Sequence, residues 1–194
     1  MKGTKNRAMV FPKCTENGEL KVEAYCDASF NSPNENLSKT KTQPRAGYLV
    51  FVNGCLIKWY SKLIRLTPQS TEESEVIAAN ELVRFLKWLI GVLIELNVPF
   101  KKPQVYCDNQ NAVNWIRQRA VTDRTKHFEV KLNFCRDSWE AGEFIIDHIN
   151  GDKNPADLMT KQLSWKKIQY FCAMIGMRDR TKTGTRFATT SEEV

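Results

Sequence analysis

The tripeptide Tyr-Cys-Asp occurs twice, at Tyr25-Cys26-Asp27 and at Tyr106-Cys107-Asp108, each time in a run that reads as a β-strand. Each strand would deliver a carboxylate where it stops, and in open α/β sheets sites gather at the carboxyl ends of strands. Were the two strands parallel neighbours, Asp27 and Asp108 would lie side by side, which is unfavourable for like charges unless a cation sits between them. Asp108 has a second reading, as a cap on a helix that starts at Asn109. Asp27 has none.

Two further acids bear on the same chemistry. Glu72 and Glu73 stand where carboxylates favour a helix dipole and complete a capping box. Glu75 instead shares the apolar stripe of Ala79 and Leu82, a face on which an unpaired carboxylate is costly. Asp157, in Asn154-Pro155-Ala156-Asp157, opens a helix, where an acid commonly serves the dipole alone. The signal lies in the set: three carboxylates on strand ends or an inward helix face, and a fourth at a helix start that can reach the same edge. Hard cations such as Mg²⁺ take few carboxylates plus water and phosphate oxygens, so four carboxylates suit a two-metal phosphodiesterase. Cys26 and Cys107 alternate away from the adjacent aspartates and read as buried core thiols.

The elements that must position these acids are legible from pattern. Leu20 to Phe30 alternates like a strand, and Gly47 to Trp59 reads as two strands joined by Asn53-Gly54, a type I′ turn pair. Asn31 to Arg45 is a polar connection between them, expected to be mobile. Ser70 and Glu73 form the capping box of a long helix in which Ala79, Leu82, Leu86, Leu89 and Leu93 recur at helical spacing. Pro103 precedes a short strand, Gln104 to Cys107. A second helix carries Ala112, Trp115 and Ile116 and ends before Asp123; a third fits Thr125 to Glu140, stopped by Gly142; Glu143 to Asn150 is a further strand. Asn154-Pro155 opens a fourth helix, and Ser164 caps a last amphipathic segment reaching Gly176. The order β-β-β-α-β-α-α-β-α predicts an α/β fold, a mixed sheet with helices on its faces.

Composition sets the bounds. A chain of 194 residues, 42% hydrophobic and 26% charged, holds enough apolar material for one core. Residues 1–19 and 178–194 are polar and read as tails around a domain at 20–177. A net charge of +7 suits a polyanionic partner. The six cysteines form no CxxC pair, which argues against a zinc ribbon or a disulfide framework and for reduced, intracellular thiols. No apolar run approaches the roughly 20 residues needed to span a bilayer, and the start lacks a signal peptide's hydrophobic core. A soluble protein inside a cell, with no membrane partner, is expected.

At the residues that carry the chemistry the chain resembles the ribonuclease H domain of copia-type long-terminal-repeat retrotransposon Pol polyproteins, from about Val22 to Met177. The matching blocks are Tyr25-Cys26-Asp27-Ala28-Ser29, Gly47-Tyr48 with Trp59-Tyr60-Ser61-Lys62, Glu73-Ser74-Glu75, Tyr106-Cys107-Asp108-Asn109-Gln110-Asn111-Ala112, Arg124-Thr125-Lys126-His127, and Ala156-Asp157-Leu158-Met159-Thr160-Lys161. The resemblance implies the ribonuclease H-like fold, with a five-stranded mixed sheet: the first three strands antiparallel, the later two parallel to the first. It also implies a catalytic and metal-binding set of Asp27, Glu75, Asp108 and Asp157. Many copia-type domains carry a second acid two residues after the first; here that place is Ser29.

What the resemblance implies for function is metal-dependent cleavage of the RNA strand of RNA–DNA hybrids during reverse transcription, with two Mg²⁺ ions for which Mn²⁺ can substitute. Asp27 is expected to bridge both ions, Glu75 and Asp108 to complete one site and Asp157 the other. Ser29, Asn109 and Gln110 are placed for the hybrid's wide, shallow groove; Lys58, Lys62, Arg65, Arg124 and Lys126 for phosphates. His127 is expected to orient the third helix or touch substrate, and the direction of His148 is left open by strand alternation. The short connection between the second and third helices leaves no room for the basic protrusion that helps some cellular enzymes hold hybrids. A reverse transcriptase domain, in cis or in trans, is therefore an expected partner, in the cytoplasm (a virus-like particle) or the nucleus. The rival readings are a catalytically idle binding module of the same fold and a DNA-directed nuclease.

Overall fold

Pairing of the two Tyr-Cys-Asp segments organises the molecule. In the computed structural model, which describes residues 6–11, 18–33, 42–65, 68–118 and 128–179, the elements run β1 (Arg7–Met9), β2 (Val22–Pro33), β3 (Thr42–Val52), β4 (Cys55–Leu63), α1 (Thr71–Glu95), β5 (Gln104–Cys107), α2 (Gln110–Arg117), α3 (Glu129–Glu140), β6 (Ile145–His148), α4 (Asp157–Thr160), α5 (Trp165–Met174) and β7 (Met177–Asp179). Five strands form one sheet in the order β4-β3-β2-β5-β6. β2, β3 and β4 are antiparallel neighbours, and β5 and β6 lie parallel to β2. This is the ribonuclease H-like α/β arrangement that the resemblance implies.

The hairpin between β3 and β4 turns at Asn53 and Gly54, both with positive φ (48° and 76°), as a type I′ turn requires. α1 starts at the predicted cap: the Ser70 hydroxyl accepts from the Glu73 backbone N–H at 3.1 Å, while the Glu73 carboxylate reaches one residue past the cap and accepts from the Gln69 N–H at 2.7 Å. Its inward stripe, Ala79, Leu82, Leu86, Leu89 and Leu93, packs on the sheet with Val22, Ala24, Cys26, Val50, Val105 and Ile146. Each fully buried leucine there contributes about 1.5–3 kcal/mol. The opposite face carries a smaller cluster of Leu49, Phe51, Leu56 and Ile175, packed with Leu158 and Met159. No helix among the described residues is long and apolar enough to cross a membrane.

Several boundaries differ from the pattern reading. The polar connection Asn31 to Arg45 is partly strand, since Ser32 pairs with Gln43 and Pro33 with Thr42 beyond a bulge after Ser29. Residues 34–41, its expected mobile centre, lie outside the described residues. Arg7–Met9, in the stretch read as a tail, pairs antiparallel with Met177–Asp179 in a separate two-stranded sheet. Backbone pairing of three residues leaves no compositional trace. The fourth helix is a single turn, preceded by a 3-10 turn at Gly151–Lys153. α3 is described from Glu129 onward, and residues 119–127, with the expected start of that helix, lie outside the described residues.

Candidate active site

Register decides where the acids fall. In the β2·β5 pair Tyr25 lies opposite Tyr106 and Cys26 opposite Cys107, and there the parallel pairing stops. β5 ends, so Asp108 follows a true strand terminus, as predicted. β2 does not end: Asp27 pairs with Gly47 of β3 and the strand runs on to Pro33. Asp27 is thus a mid-strand residue, fully buried, standing where its neighbour on one side has stopped. Asp108 retains 14% side-chain exposure.

Glu75, on the second turn of α1, is buried against the sheet as its place on the apolar stripe predicted. Asp157 is buried at the start of α4. That turn is held down by Asn154, fully buried, whose side-chain amide donates to the Cys26 carbonyl at 2.9 Å and whose Oδ1 accepts from the Ala156 N–H at 3.1 Å. Gly47 makes the close approach possible. A Cβ there would lie 2.5 Å from Met159 Cβ and 2.7 Å from Thr160 Cγ2, so only glycine lets α4 settle on β3 opposite Asp27.

The four acids form two overlapping groups. Ligand atoms of Asp27, Asp108 and Asp157 lie within 4.8 Å of one another, as do those of Glu75, Cys107 and Asp108. The member common to both groups is Asp108. Cys107, read from alternation as a core thiol, is buried, but its thiol also donates to Glu75 Oε2 at 3.8 Å. Apart from that thiol the donors are carboxylate oxygens, a set that fits hard divalent cations.

Electrostatics follow from this crowding. Burial, then Cys107, Asp27 and Asp108, push the Glu75 carboxyl well above its usual range. Burial and Asp27 raise Asp108. Burial raises Asp157 against the opposing hydrogen bond from Lys161. The basic partner in the cluster is Lys161, whose ammonium donates to Asp27 Oδ1 at 2.8 Å and Asp157 Oδ1 at 2.6 Å and lies 3.6 Å from Asp108 Oδ2. Burial works against that charge, but Asp27, Asp157 and Asp108 together hold the ammonium protonated above its ordinary range. Thr160 also donates its hydroxyl to Asp27. Neither Lys161 nor Thr160 was assigned a role from sequence. The i,i+4 spacing of Asp157 and Lys161 at a helix start was the signal available for Lys161.

The expected substrate residues are more scattered. Ser29 sits half-buried on β2, two residues past Asp27. Asn109 caps α2, its Oδ1 accepting from the Ala112 N–H at 3.0 Å. Gln110 is exposed, with its amide on Asn114 Oδ1 at 2.9 Å. Lys62 and Arg65 are exposed and line, with Lys131, a cleft of about 390 Å³ between β4, α1 and α3. Lys58 lies 5.5 Å from the Phe85 ring. His148 is exposed and its Nε2 is 3.2 Å from the Asp108 carbonyl oxygen. Arg124, Lys126 and His127 lie outside the described residues.

The chain is similar to parts of known transposon polyproteins. The retrovirus-related Pol polyprotein from transposon TNT 1-94 of Nicotiana tabacum is 33% identical over 156 residues, 80% of this chain and 11% of that protein. The corresponding polyprotein from transposon RE1 of Arabidopsis thaliana is 27% identical over 90% of this chain and 12% of its own length. The chain is similar to part of each of these transposon Pol polyproteins. It spans about a tenth of the length of these curated relatives. Among solved structures it is similar to LC11-RNase H1 in complex with an RNA/DNA hybrid (TM-score 0.49, 17% identity, 72% of this chain and 93% of that one). It is likewise similar to the PFV RNase H domain (TM-score 0.49, 11% identity, 82% and 93%). No family model matches the chain.

Proposed function

We propose that this chain is the ribonuclease H module of a copia-type retrotransposon Pol polyprotein, hydrolysing the RNA strand of RNA–DNA hybrids at Asp27, Glu75, Asp108 and Asp157. The observation that carries this reading is the convergence of four acids from β2, α1, the end of β5 and α4 into two overlapping groups of metal-ligand geometry. Asp27, Asp108 and Asp157 would hold one Mg²⁺, and Glu75 with Asp108 a second, with Mn²⁺ as a substitute. Divalent cations bound there supply Lewis-acid stabilisation of phosphate charge and activate water at neutral pH.

The chain's own residues perform the rest. Asn154 and Gly47 fix α4 so that Asp157 faces the strand-borne acids. The buried setting keeps the carboxylates in a low-dielectric pocket, where their pull on a cation is stronger than in water. Ser29, Asn109 and Gln110 meet the hybrid's groove, Lys62, Arg124 and Lys126 meet backbone phosphates, and His127 orients the third helix or touches substrate, a recognition of shape and 2′-hydroxyls without base reading. The products carry 5′-phosphate and 3′-hydroxyl ends. A reverse transcriptase domain supplies the remaining grip on the hybrid, inside the cell. This reading draws support from relatives that are Pol polyproteins many times longer than this segment.

The test is cleavage of a labelled RNA–DNA hybrid with Mg²⁺ or Mn²⁺, comparing wild type with Asp27→Asn and Asp108→Asn. Cleavage in wild type and its loss in both variants is expected. No cleavage by wild type with either metal, or unchanged cleavage in the variants, overturns the proposal. Cutting of duplex DNA in place of hybrid favours a DNA-directed nuclease.

A further inference from the structure

Lys161 occupies an unusual position for a lysine. Its ammonium is within 2.6–3.6 Å of carboxylate oxygens from three acids, Asp27 on β2, Asp157 on α4 and Asp108 just past β5. Asp27 is fully buried, and its carboxylate is engaged by Lys161 on one oxygen and Thr160 on the other. A buried carboxylate without a compensating cation is strongly destabilising. The oxygens that grip the ammonium belong to the same three residues that form one metal-ligand group. A divalent cation and the ammonium cannot share those oxygens at bonding distance, because both are positive and both need the same lone pairs.

We propose that Lys161 is a built-in counter-ion of the acid site, whose contacts with Asp27, Asp157 and Asp108 compete with divalent-cation binding. Resting on the metal-site reading above, the proposal adds that the ammonium neutralises the cluster when metal is scarce and swings out when metal binds. The arrangement suits the swing. Lys161 lies just beyond the C-terminus of α4, its side chain is 36% exposed, and its flexible stem can carry the charge toward solvent while the backbone stays in place. Lys161 is on this account a positioning residue that sets metal affinity and metal-free stability in opposite directions.

The test uses Lys161→Gln and Lys161→Arg, read by thermal melting in chelator and by calorimetric Mn²⁺ titration. Lys161→Gln is expected to melt about 5 °C or more below wild type in chelator and to bind Mn²⁺ about tenfold or more tightly. Lys161→Arg, which keeps the charge, is expected to stay near wild type in chelator. A purely structural lysine would lower stability and metal affinity together, so tighter binding in the less stable variant separates the two accounts. Unchanged melting in chelator, or weaker Mn²⁺ binding by Lys161→Gln, overturns the proposal. Should Lys161→Gln fold only with Mn²⁺ present, that supports it; should it fail with and without Mn²⁺, the wild type decides. In wild type the Lys161 ε-carbon and the Asp27 and Asp157 carboxyl carbons are followed by NMR during Mg²⁺ titration, and all are expected to shift together. Carboxyl shifts with a stationary ε-carbon overturn the competition alone. No carboxyl response to Mg²⁺ overturns the metal-site reading, and the competition with it.

Discussion

The two Tyr-Cys-Asp segments run side by side in perfect register, yet their aspartates meet different surroundings. On β2 the strand continues, β3 covers one side, α4 covers the face, and Asp27 is sealed with Lys161 and Thr160 as its partners. On β5 the strand stops, α2 begins after two intervening residues, and Asp108 keeps a path to solvent while belonging to both acid groups. Identical local sequence thus yields one acid that is a fixed floor and another that lies at the mouth. What differs is which neighbours the topology brings to each strand end.

The strongest way to break this comparison is to remove each aspartate's charge. Asp27→Asn and Asp108→Asn are each expected to reduce hybrid cleavage on the order of 10³-fold, and the double variant to fall no further than the worse single one, because residues acting as a unit are not additive. Single-turnover cleavage measures it; additive losses would mean that the two copies work independently. Next comes the packing that seals only the Asp27 side. Gly47→Ala forces a Cβ into Met159 and Thr160, and is expected to cost about 1–3 kcal/mol in urea unfolding and to lower cleavage as α4 moves away from β2.

A subtler test concerns Glu75, which the burial of this edge pushes well above its usual value of 4.5. Because the folded-state value lies above the unfolded one, the stability it contributes is fully present below about the ordinary carboxylate range and is lost as pH rises through the raised value. In chelator, Glu75→Gln is therefore expected to be more stable than wild type at neutral pH, with the advantage shrinking as the pH falls, measured by melting across a pH series. The smallest effect belongs to the rim. Lys62→Ala is expected to weaken hybrid binding about two- to fivefold and to reduce its salt dependence by roughly one phosphate contact, read from binding isotherms at several salt concentrations.

Much of the fold is legible in the sequence. Period-two alternation and the Asn53-Gly54 turn located the first hairpin, the Ser70–Glu73 box located α1, and repeated apolar spacing showed which of its faces goes inward, Glu75 included. These signals are local, so a short window contains them. The small β1·β7 sheet, the continuation of β2 past Phe30, and the contact of Cys107 with Glu75 were not legible, since each depends on segments far apart in the chain.

The acids themselves were written in the sequence, as residue types at strand ends and on one helix stripe where an uncompensated charge is costly. Which of them would be sealed and which accessible was decided by tertiary structure alone. A strand end has no burial of its own; burial comes from the element that packs over it. At Asp27 that element is α4, seated by Gly47 and Asn154 and bringing Lys161 from 134 residues away.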